Sequence, residues 1–354
     1  MKQTIKSING LRAVGVLMIF VLHNNVLYRN YGFKLFTYGW MFVEVFTCIS
    51  GFTMAYNYKD KLKEMSFFDF FCRRYFKIMP LFWLTELVLC GIFFFRKIVF
   101  GVDHFPEDVT AFKILFDLTG LSGIFGKYLL PINGVVWFVG CLFLCYVVLW
   151  IIVNKTDGPK GYVSVCLIIW FINMYLLVNG MNCGNNDMRI ERCVMSFLSG
   201  VLLYEIYERV DEIKLGRWVT SEITCFFIIF LLCRKSGISI WRDGNDVYVF
   251  ASFVFAPTCL TISLYCDLVK RILSTSVFQF IGNISMSMYM WYNIVITLTI
   301  NEFFAPINGS VLFFVIQLGI NVFVGAVSFY CIEPALKNSV EKFFWRGEQK
   351  NMEC

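Results

Sequence analysis

The feature that most constrains this chain is a series of ten apolar runs of similar length. A helix needs about 20 mostly apolar residues to cross the hydrocarbon core of a bilayer. The runs lie at 9–28, 38–57, 77–96, 135–153, 161–179, 191–207, 217–233, 247–265, 278–299 and 310–331. Their apolar residues are continuous and do not alternate with polar ones, which favours helices over the strands of a membrane barrel. The sequence therefore predicts an all-α integral membrane protein with about ten transmembrane helices.

The composition agrees with a membrane location. Of the 354 residues, 58% are hydrophobic and 16% are charged, whereas soluble domains average about 45–50% apolar and about 25% charged residues. We expect residues 1–340 to form a single ten-span domain and residues 341–354 to form a short cytoplasmic tail. The first run has no small-residue cleavage site, so we expect it to be retained as a span.

The basic residues indicate the orientation of the spans, because cytoplasmic loops of membrane proteins are enriched in Lys and Arg. With both termini in the cytoplasm, 19 of the 31 Lys and Arg residues fall in cytoplasmic segments and 11 fall on the opposite side. We therefore predict a multi-pass protein of the cell membrane with both termini in the cytoplasm. The semi-apolar stretch 97–134 is expected to form a capping loop or a re-entrant segment.

The 14 cysteines predict neither a metal site nor a disulfide framework. They include no CxxC spacing, and most of them lie inside apolar runs, where a thiol behaves as a small hydrophobic side chain. We expect no metal and no permanently bound cofactor. A nucleic-acid partner is not expected either.

The first span carries an arginine and a histidine in the otherwise apolar stretch "LRAVGVLMIFVLHNN". Ionisable residues within a membrane are functional hypotheses by default. Arg12 and His23 are eleven residues apart, so they share one helix face about 16 Å apart along the axis and are expected to line one groove. Alternatively, Arg12 extends toward the membrane surface, and His23 only bonds a neighbouring backbone carbonyl.

The second span places a carboxylate at a depth similar to that of His23, since consecutive spans run antiparallel. We expect Glu44 to hydrogen-bond His23, fix its tautomer and raise its basicity, as suits a general base. His23 and Glu44 are therefore the candidate catalytic residues. Alternatively, Glu44 only joins two helices. The same span contains Ser50-Gly51, whose small size permits a close approach of another backbone or a ligand.

A basic cluster, Arg73, Arg74 and Lys77, precedes Pro80 at the predicted cytoplasmic mouth of the third span. Arginine binds phosphate groups in a bidentate geometry. The cluster is therefore a candidate site for a cytoplasmic donor that carries phosphates. A purely topogenic role is the alternative.

Residues of the later spans are expected to line the groove or to contact an acceptor. These are Trp137, Arg189, Arg192, Asn283 and Tyr289. Trp137 could instead belong to the aromatic belt of the membrane interface. The serines near Asn283 could instead join helices.

Six motifs, in order over about residues 5–340, resemble the membrane acyltransferase-3 family of bacterial and animal O-acyltransferases. They are "LRAVGVLMIFVLH", "VEVFTCISGF", "RRYFKIMPLFWL", "WFVGCLFLCY", "FIGNISMSMYMWYN" and "FYCIEPALK". Two of the motifs depart from the family pattern. Tyr292 stands where the family often has a histidine, and the glutamates that are common after the tryptophan of the fourth-span motif are absent, with Leu142 and Phe143 nearby instead.

The resemblance implies transfer of an acyl group, commonly acetyl from acetyl-CoA, to a hydroxyl of a carbohydrate at or beyond the outer face. The acceptor would be a surface polysaccharide or a lipid-linked sugar, and the other partners would be the lipid bilayer and acyl-CoA. His23, oriented by Glu44, would deprotonate the acceptor hydroxyl or briefly carry the acyl group. The residues implied in acyl-CoA binding are Arg12, Arg73, Arg74, Lys77, Ser50 and Gly51.

Two other classes of function fit the same residues. A proton-coupled transporter or flippase would use His23 and Glu44 to relay protons and would need no acyl-CoA. A scaffold or polymer-synthesis partner would use the charged residues only to pack helices. The sequence has no internal repeat and no matched pair of interrupted helices, which are typical of inverted-repeat transporters. Acyl transfer is therefore the favoured hypothesis.

Overall fold

The structure, a computed structural model, describes residues 4–101, 111–122, 124, 132–134, 137–181, 188–209, 246–299 and 309–344. This part of the chain contains helices and no strand. The helices are α1 (Lys6–Asn24), α2 (Val26–Tyr31), α3 (Phe42–Tyr58), α4 (Phe67–Phe100), α5 (Ala111–Asp117), α6 (Trp137–Lys155), α7 (Gly158–Val178), α8 (Arg189–Arg209), α9 (Asp246–Val249), α10 (Ala256–Tyr265), α11 (Asp267–Leu273), α12 (Ser276–Thr299), α13 (Val311–Val327) and α14 (Glu333–Phe344).

Shorter helical segments connect several of these helices. A 3₁₀ helix, Lys34–Met41, leads directly into α3, and another, Lys61–Lys63, lies between α3 and α4. A π-helical segment, Phe250–Phe255, joins α9 to α10, and a second, Ser328–Ile332, joins α13 to α14. Each π segment therefore continues the helix before it without a break into a loop.

Among the described residues, seven helical stretches are long and apolar enough to cross a membrane, which confirms the all-α membrane fold. They are Lys6–Asn24, Lys34–Tyr58, Phe67–Phe100, Trp137–Lys155, Gly158–Val178, Val247–Tyr265 and Val311–Ser339. The helices α8 and α12 coincide with two further predicted spans but carry more polar side chains. The seventh predicted span, 217–233, lies outside the described residues. The helix α14 continues past residue 340, and the remainder of the predicted tail also lies outside them.

The helix α4 is longer than the third span predicted from hydropathy. It begins at Phe67 and not at residue 77, and its 34 residues extend about 51 Å at the usual helical rise. Ser66 caps it, because the Ser66 hydroxyl accepts a hydrogen bond from the Asp69 amide at 3.1 Å. The basic cluster therefore lies on a regular helix and not in the loop before a span.

The stretch 97–134, where it is described, packs against α4. The indole of Trp83 donates to the Leu118 carbonyl at 2.6 Å, and the Tyr75 hydroxyl donates to the Thr119 carbonyl at 3.2 Å. The buried carboxylate of Asp117 accepts a hydrogen bond from the Ile132 amide at 2.8 Å. These bonds attach Leu118 and Thr119 to α4 and join Asp117 to Ile132.

Glycines let two pairs of helices approach within backbone contact. A Cβ atom added at Gly51 of α3 would lie 1.9 Å from the Phe197 carbonyl oxygen of α8, and one added at Gly200 of α8 would lie 1.9 Å from the Cys48 carbonyl oxygen. In α12, a Cβ atom at Gly282 would lie 2.2 Å from the Asn9 carbonyl oxygen of α1. Small residues at such crossings allow the close packing on which membrane helix association depends.

Replacing Gly200 with alanine should destabilise the protein, because the new methyl group would overlap the Cys48 carbonyl and force α3 and α8 apart. Overpacking of this kind costs about 1–3 kcal/mol. The matched variant Gly91→Ala adds the same methyl group in α4, where nothing lies within 4 Å, and it should keep or raise stability because alanine favours helices. Thermal unfolding in detergent measures both variants. Equal changes in the unfolding temperature of the two variants would contradict the packing role of Gly200.

Candidate functional site

Two cavities divide most of the predicted site residues between them. The basic cavity has a volume of about 410 Å³, and its wall includes Arg12, Arg74 and Lys77. The histidine cavity has a volume of about 470 Å³, and its polar and aromatic lining residues are His23, Trp40, Trp137, Arg189, Arg192, Tyr248, Tyr289 and Tyr292. Arg12 and His23, which were predicted to line one groove, line these two cavities, and the cavities share the lining residues Val43 and Tyr289.

The basic cavity gathers positive charge from two helices. Arg12 comes from α1, while Arg74 and Lys77 come from the first half of α4. Within the described residues none of these three side chains forms an ion pair, and Arg74 lies over the Tyr58 ring at 4.1 Å. Cations concentrated in one cavity attract an anion. The cavity is therefore suited to a ligand that carries negative charge.

Hydroxyl groups complete the wall of the basic cavity. The Ser50 hydroxyl of α3 lies 3.1 Å from the Tyr146 hydroxyl of α6, and both residues line this cavity. Ser50 therefore lines the same cavity as the three cations. The two small residues Ser50 and Gly51 differ in role, because only Ser50 lines the cavity.

Arg73 and Gly51, which the sequence grouped with the acyl-CoA site, do not line the basic cavity. Arg73 is exposed, because neighbouring residues of a helix point about 100° apart and Arg74 is the one that faces inward. Gly51 contacts the backbone of Phe197 instead. The motif alone could not distinguish a residue that lines the site from one that packs beside it.

His23 lies in the last turn of α1 and faces the histidine cavity. The helix ends there because Asn25 adopts a left-handed backbone conformation with a φ of 57°. The ring centroids of His23 and Tyr292 are 5.0 Å apart, at an interplanar angle of 34°. Tyr292, the position that departs from the family pattern, is therefore the aromatic neighbour of His23.

The predicted hydrogen bond between Glu44 and His23 is wrong, because Glu44 binds Arg192. Glu44 Oε1 accepts a hydrogen bond from Arg192 Nε at 2.7 Å and a second from Arg192 Nη2. Both side chains are buried. A guanidinium forms stronger, charge-assisted hydrogen bonds with a carboxylate than a neutral imidazole does. The similar depth of Glu44 and His23 in the membrane predicted their contact. Depth alone could not show that α8 supplies an arginine that binds Glu44 instead.

Aromatic rings surround the guanidinium of Arg192. Its central carbon lies 4.4 Å from the ring centroid of Tyr248 and 4.9 Å from that of Trp40. Arg189, one turn earlier on α8, lies 5.0 Å from the ring centroid of Trp137. Such cation–π contacts strengthen where water is excluded. Trp137, Arg189 and Arg192 thus lie together in the lining of the histidine cavity.

Asn283 lines neither cavity, in contrast to its prediction as a groove residue. It is exposed, and its side-chain oxygen accepts a hydrogen bond from Asn9 Nδ2 at 2.8 Å. The bond links α12 to α1. The cavity face of α12 instead follows Ser285, Tyr289 and Tyr292, and a residue two positions before Ser285 points away from that face.

Sequence reasoning missed several residues of the site. Trp40 and Tyr248 contact Arg192, but aromatic residues near span ends are easily assigned to the interface belt. Glu86 is buried in α4, and its carboxylate accepts a hydrogen bond from the Asn133 amide at 3.2 Å, beside the cavity residue Gly134. Its presence within an apolar run was the signal that could have identified it. Among the described residues, no group of three or more His, Cys, Asp or Glu side chains could hold a metal ion.

Removing either partner of the Glu44–Arg192 pair should destabilise the protein strongly, because a buried charge would lose its counter-charge. Such removals cost about 3–5 kcal/mol, whereas exposed pairs contribute about 0–1 kcal/mol. The control is Arg209→Met, since Arg209 pairs with Glu205 at 2.8 Å but is 52% exposed.

Thermal unfolding in detergent should show a large loss of stability for Arg192→Met and almost no loss of stability for Arg209→Met. The double variant Glu44→Gln/Arg192→Met should lose less than the sum of the two single variants. Additive losses would show that the two side chains are not energetically coupled.

Comparison with known proteins gives one family and two relatives. The family described as "Acyltransferase domain" matches residues 5–331. An O-acetyl transferase of Shigella phage Sf6 is 22% identical over 69% of this chain and 81% of that protein. The peptidoglycan O-acetyltransferase OatA of Listeria monocytogenes serovar 1/2a is 21% identical over 99% of this chain, which spans 58% of that protein.

No solved structure matches the chain. The family match nevertheless extends from the start of α1 to the end of α13 and includes the charged and aromatic lining residues of both cavities. The chain therefore belongs to this acyltransferase family, and it is a multi-pass membrane O-acyltransferase.

Proposed function

We propose that the protein transfers an acyl group, acetyl in the simplest case, from cytoplasmic acyl-CoA to a hydroxyl of a carbohydrate at the extracytoplasmic side. The observation that carries this proposal is the pair of adjacent cavities, of which one contains three cations and the other contains a histidine. The names of the relatives support acetyl as the acyl group, and one of those names gives peptidoglycan as an acceptor.

The basic cavity would bind the phosphates of CoA. Arg12, Arg74 and Lys77 supply three positive charges that no carboxylate of the described residues neutralises through an ion pair. Two of the three are arginines, whose planar guanidinium groups match phosphate oxygens in bidentate geometry. The thioester end of the donor would then extend from this cavity toward His23.

The histidine cavity would bind the carbohydrate acceptor. Its wall presents the rings of Trp40, Trp137 and Tyr248 next to the side chains of Arg189 and Arg192. Ligand pockets commonly combine apolar and aromatic walls with a few polar groups that fix orientation. A sugar ring has an apolar face and hydroxyl edges, and it fits such a wall with one hydroxyl directed at His23.

His23 would act as the general base. Its imidazole removes the proton of the acceptor hydroxyl while the hydroxyl oxygen attacks the thioester carbonyl carbon. A carbon–oxygen ester bond forms, the carbon–sulfur bond breaks, and the proton passes from the imidazole to the departing CoA sulfur. Base catalysis of this kind contributes about 10²–10⁴-fold, and holding both substrates in place contributes the remainder.

Glu44 takes a different role in this proposal from the one predicted for it. Because it is bonded to Arg192, it acts as a positioning residue for the wall of the histidine cavity. A proton relay from His23 to Glu44, as a transporter or flippase would need, has no direct contact to support it. Acyl transfer requires no such contact, because the proton travels from acceptor to CoA through His23 alone.

The variant Arg74→Ala should raise KM for acetyl-CoA about tenfold or more, since a hydrogen bond to a charged group contributes about 1.5–3 kcal/mol. The variant Arg73→Ala removes the neighbouring charge, which lies outside the cavity, and it should leave KM unchanged. Transfer of label from acetyl-CoA in membranes that contain each variant measures both constants. An equal rise in KM for the two variants would contradict a specific contact between Arg74 and the donor and would indicate only a general attraction by positive charge.

The variant His23→Ala should lower kcat about 100-fold or more, because the general base is lost, and should leave acetyl-CoA binding intact. Acetyl transfer and binding of labelled acetyl-CoA to the purified protein separate these two effects. Full transfer activity in His23→Ala would exclude the catalytic role.

A further inference from the structure

The two cavities meet at a shared wall within the bundle. Val43 of α3 and Tyr289 of α12 line both of them. Along α12, Ser285 lines the basic cavity, Tyr289 lines both cavities and Tyr292 lines the histidine cavity. These positions follow one face of the helix over about 10 Å. The face of α12 therefore leads from one cavity to the other, with Tyr289 between them.

Two other helices show the same order. On α1, Arg12 lines the basic cavity, whereas Ile19 and His23 line the histidine cavity. On α3, Ser50 lines the basic cavity and Val43 lines both. Three helices thus place the cavities end to end, and the level of Tyr289 lies between Arg12 and His23.

Tyr289 is part of an aromatic partition, which we define as Val43, Phe46, Phe138 and Tyr289. The Tyr289 ring centroid lies 5.4 Å from that of Phe138, with the rings nearly perpendicular, and 6.3 Å from that of Phe46. Tyr289 is 4% exposed. Gly15 of α1 leaves room for Phe46, since a Cβ atom there would lie 3.0 Å from the Phe46 ring. The partition is therefore a packed layer of rings.

We propose that Tyr289 is the specificity-determining residue for the acyl group, because its ring limits the size of the group that passes from the basic cavity to His23. This inference rests on the proposed function, in which the phosphates of CoA occupy the basic cavity and the thioester must reach His23. The bonds that form and break are those given above, and Tyr289 contributes no atom to either. The ring lies in a packed layer, so an acyl group passes only when the ring is displaced, and a larger acyl group needs a larger displacement.

The test compares donors of different length on variants of the partition. Wild-type protein, Tyr289→Ala and Tyr289→Phe are assayed with acetyl-CoA, butanoyl-CoA and octanoyl-CoA, and the ratio of kcat/KM for each longer donor to that for acetyl-CoA is measured. A methylene group in a hydrophobic site changes such ratios about 10–200-fold. We expect Tyr289→Ala to raise the butanoyl ratio about tenfold or more and Tyr289→Phe to leave it unchanged, since the phenylalanine ring still fills the space.

Tyr162→Ala is the matched control, because Tyr162 is a buried tyrosine of α7 that lines neither cavity. It should leave the ratio unchanged. The ratio is taken within one variant, so a lower amount of folded protein does not alter it. If Tyr289→Ala does not fold, Val43→Ala enlarges the same partition and should change the ratio in the same direction.

The outcomes separate this inference from the function on which it rests. If the wild-type protein transfers no acyl group from any acyl-CoA, the proposed function fails. If the wild type transfers acetyl while Tyr289→Ala, or Val43→Ala in its place, keeps the wild-type ratio, the role of Tyr289 in acyl selection is overturned and the proposed function stands. Loss of acetyl transfer in Tyr289→Phe would assign the role to the hydroxyl and overturn the steric one.

Discussion

The buried ion pair between Glu44 and Arg192 is the interaction on which the rest of the site depends. It joins α3 and α8, the same two helices that Gly51 and Gly200 bring into backbone contact. The glycines set how closely the helices approach, and the ion pair sets which side chains face each other there. An unpaired charge in the membrane interior is costly, so alternative arrangements of these helices that separate the pair are strongly disfavoured. Arg192 in turn holds its aromatic neighbours in the wall of the histidine cavity.

The distribution of polar groups shows how a mostly apolar bundle can contain a site. The cations of the basic cavity lie near the beginning of α1 and on the first half of α4, whereas His23 lies in the last turn of α1. Between these levels the two cavities share the lining residues Val43 and Tyr289. Arg12, Arg74 and Lys77 thus lie in the first halves of their helices, Glu44 pairs with Arg192, and the shared lining residues Val43 and Tyr289 carry no charge. This arrangement keeps the cost of ionisable groups within the membrane low.

The sequence predicted the features that depend on local composition. Long apolar runs predicted the spans, since length and hydropathy within one segment decide whether it crosses a membrane. Spacing within α1 correctly separated Arg12 from His23 along one helix. The pairing of Glu44 could not be predicted, because depth in the membrane does not state which helices are neighbours. Likewise, only the rotation of α4 distinguishes Arg74 from Arg73, and only the capping residue Ser66 sets where that helix begins.

The aromatic partition has a consequence for the permeability of the membrane. An enzyme that takes its two substrates from opposite faces of a bilayer needs access from both, and an open water-filled passage would also let protons and ions leak down their gradients. Hydrophobic constrictions interrupt conduction because water does not fill them. Under the proposed function, a layer of packed rings between the basic and histidine cavities would let each cavity be hydrated without a column of water that joins them. The side chains proposed to select the acyl group would thereby also preserve the membrane potential.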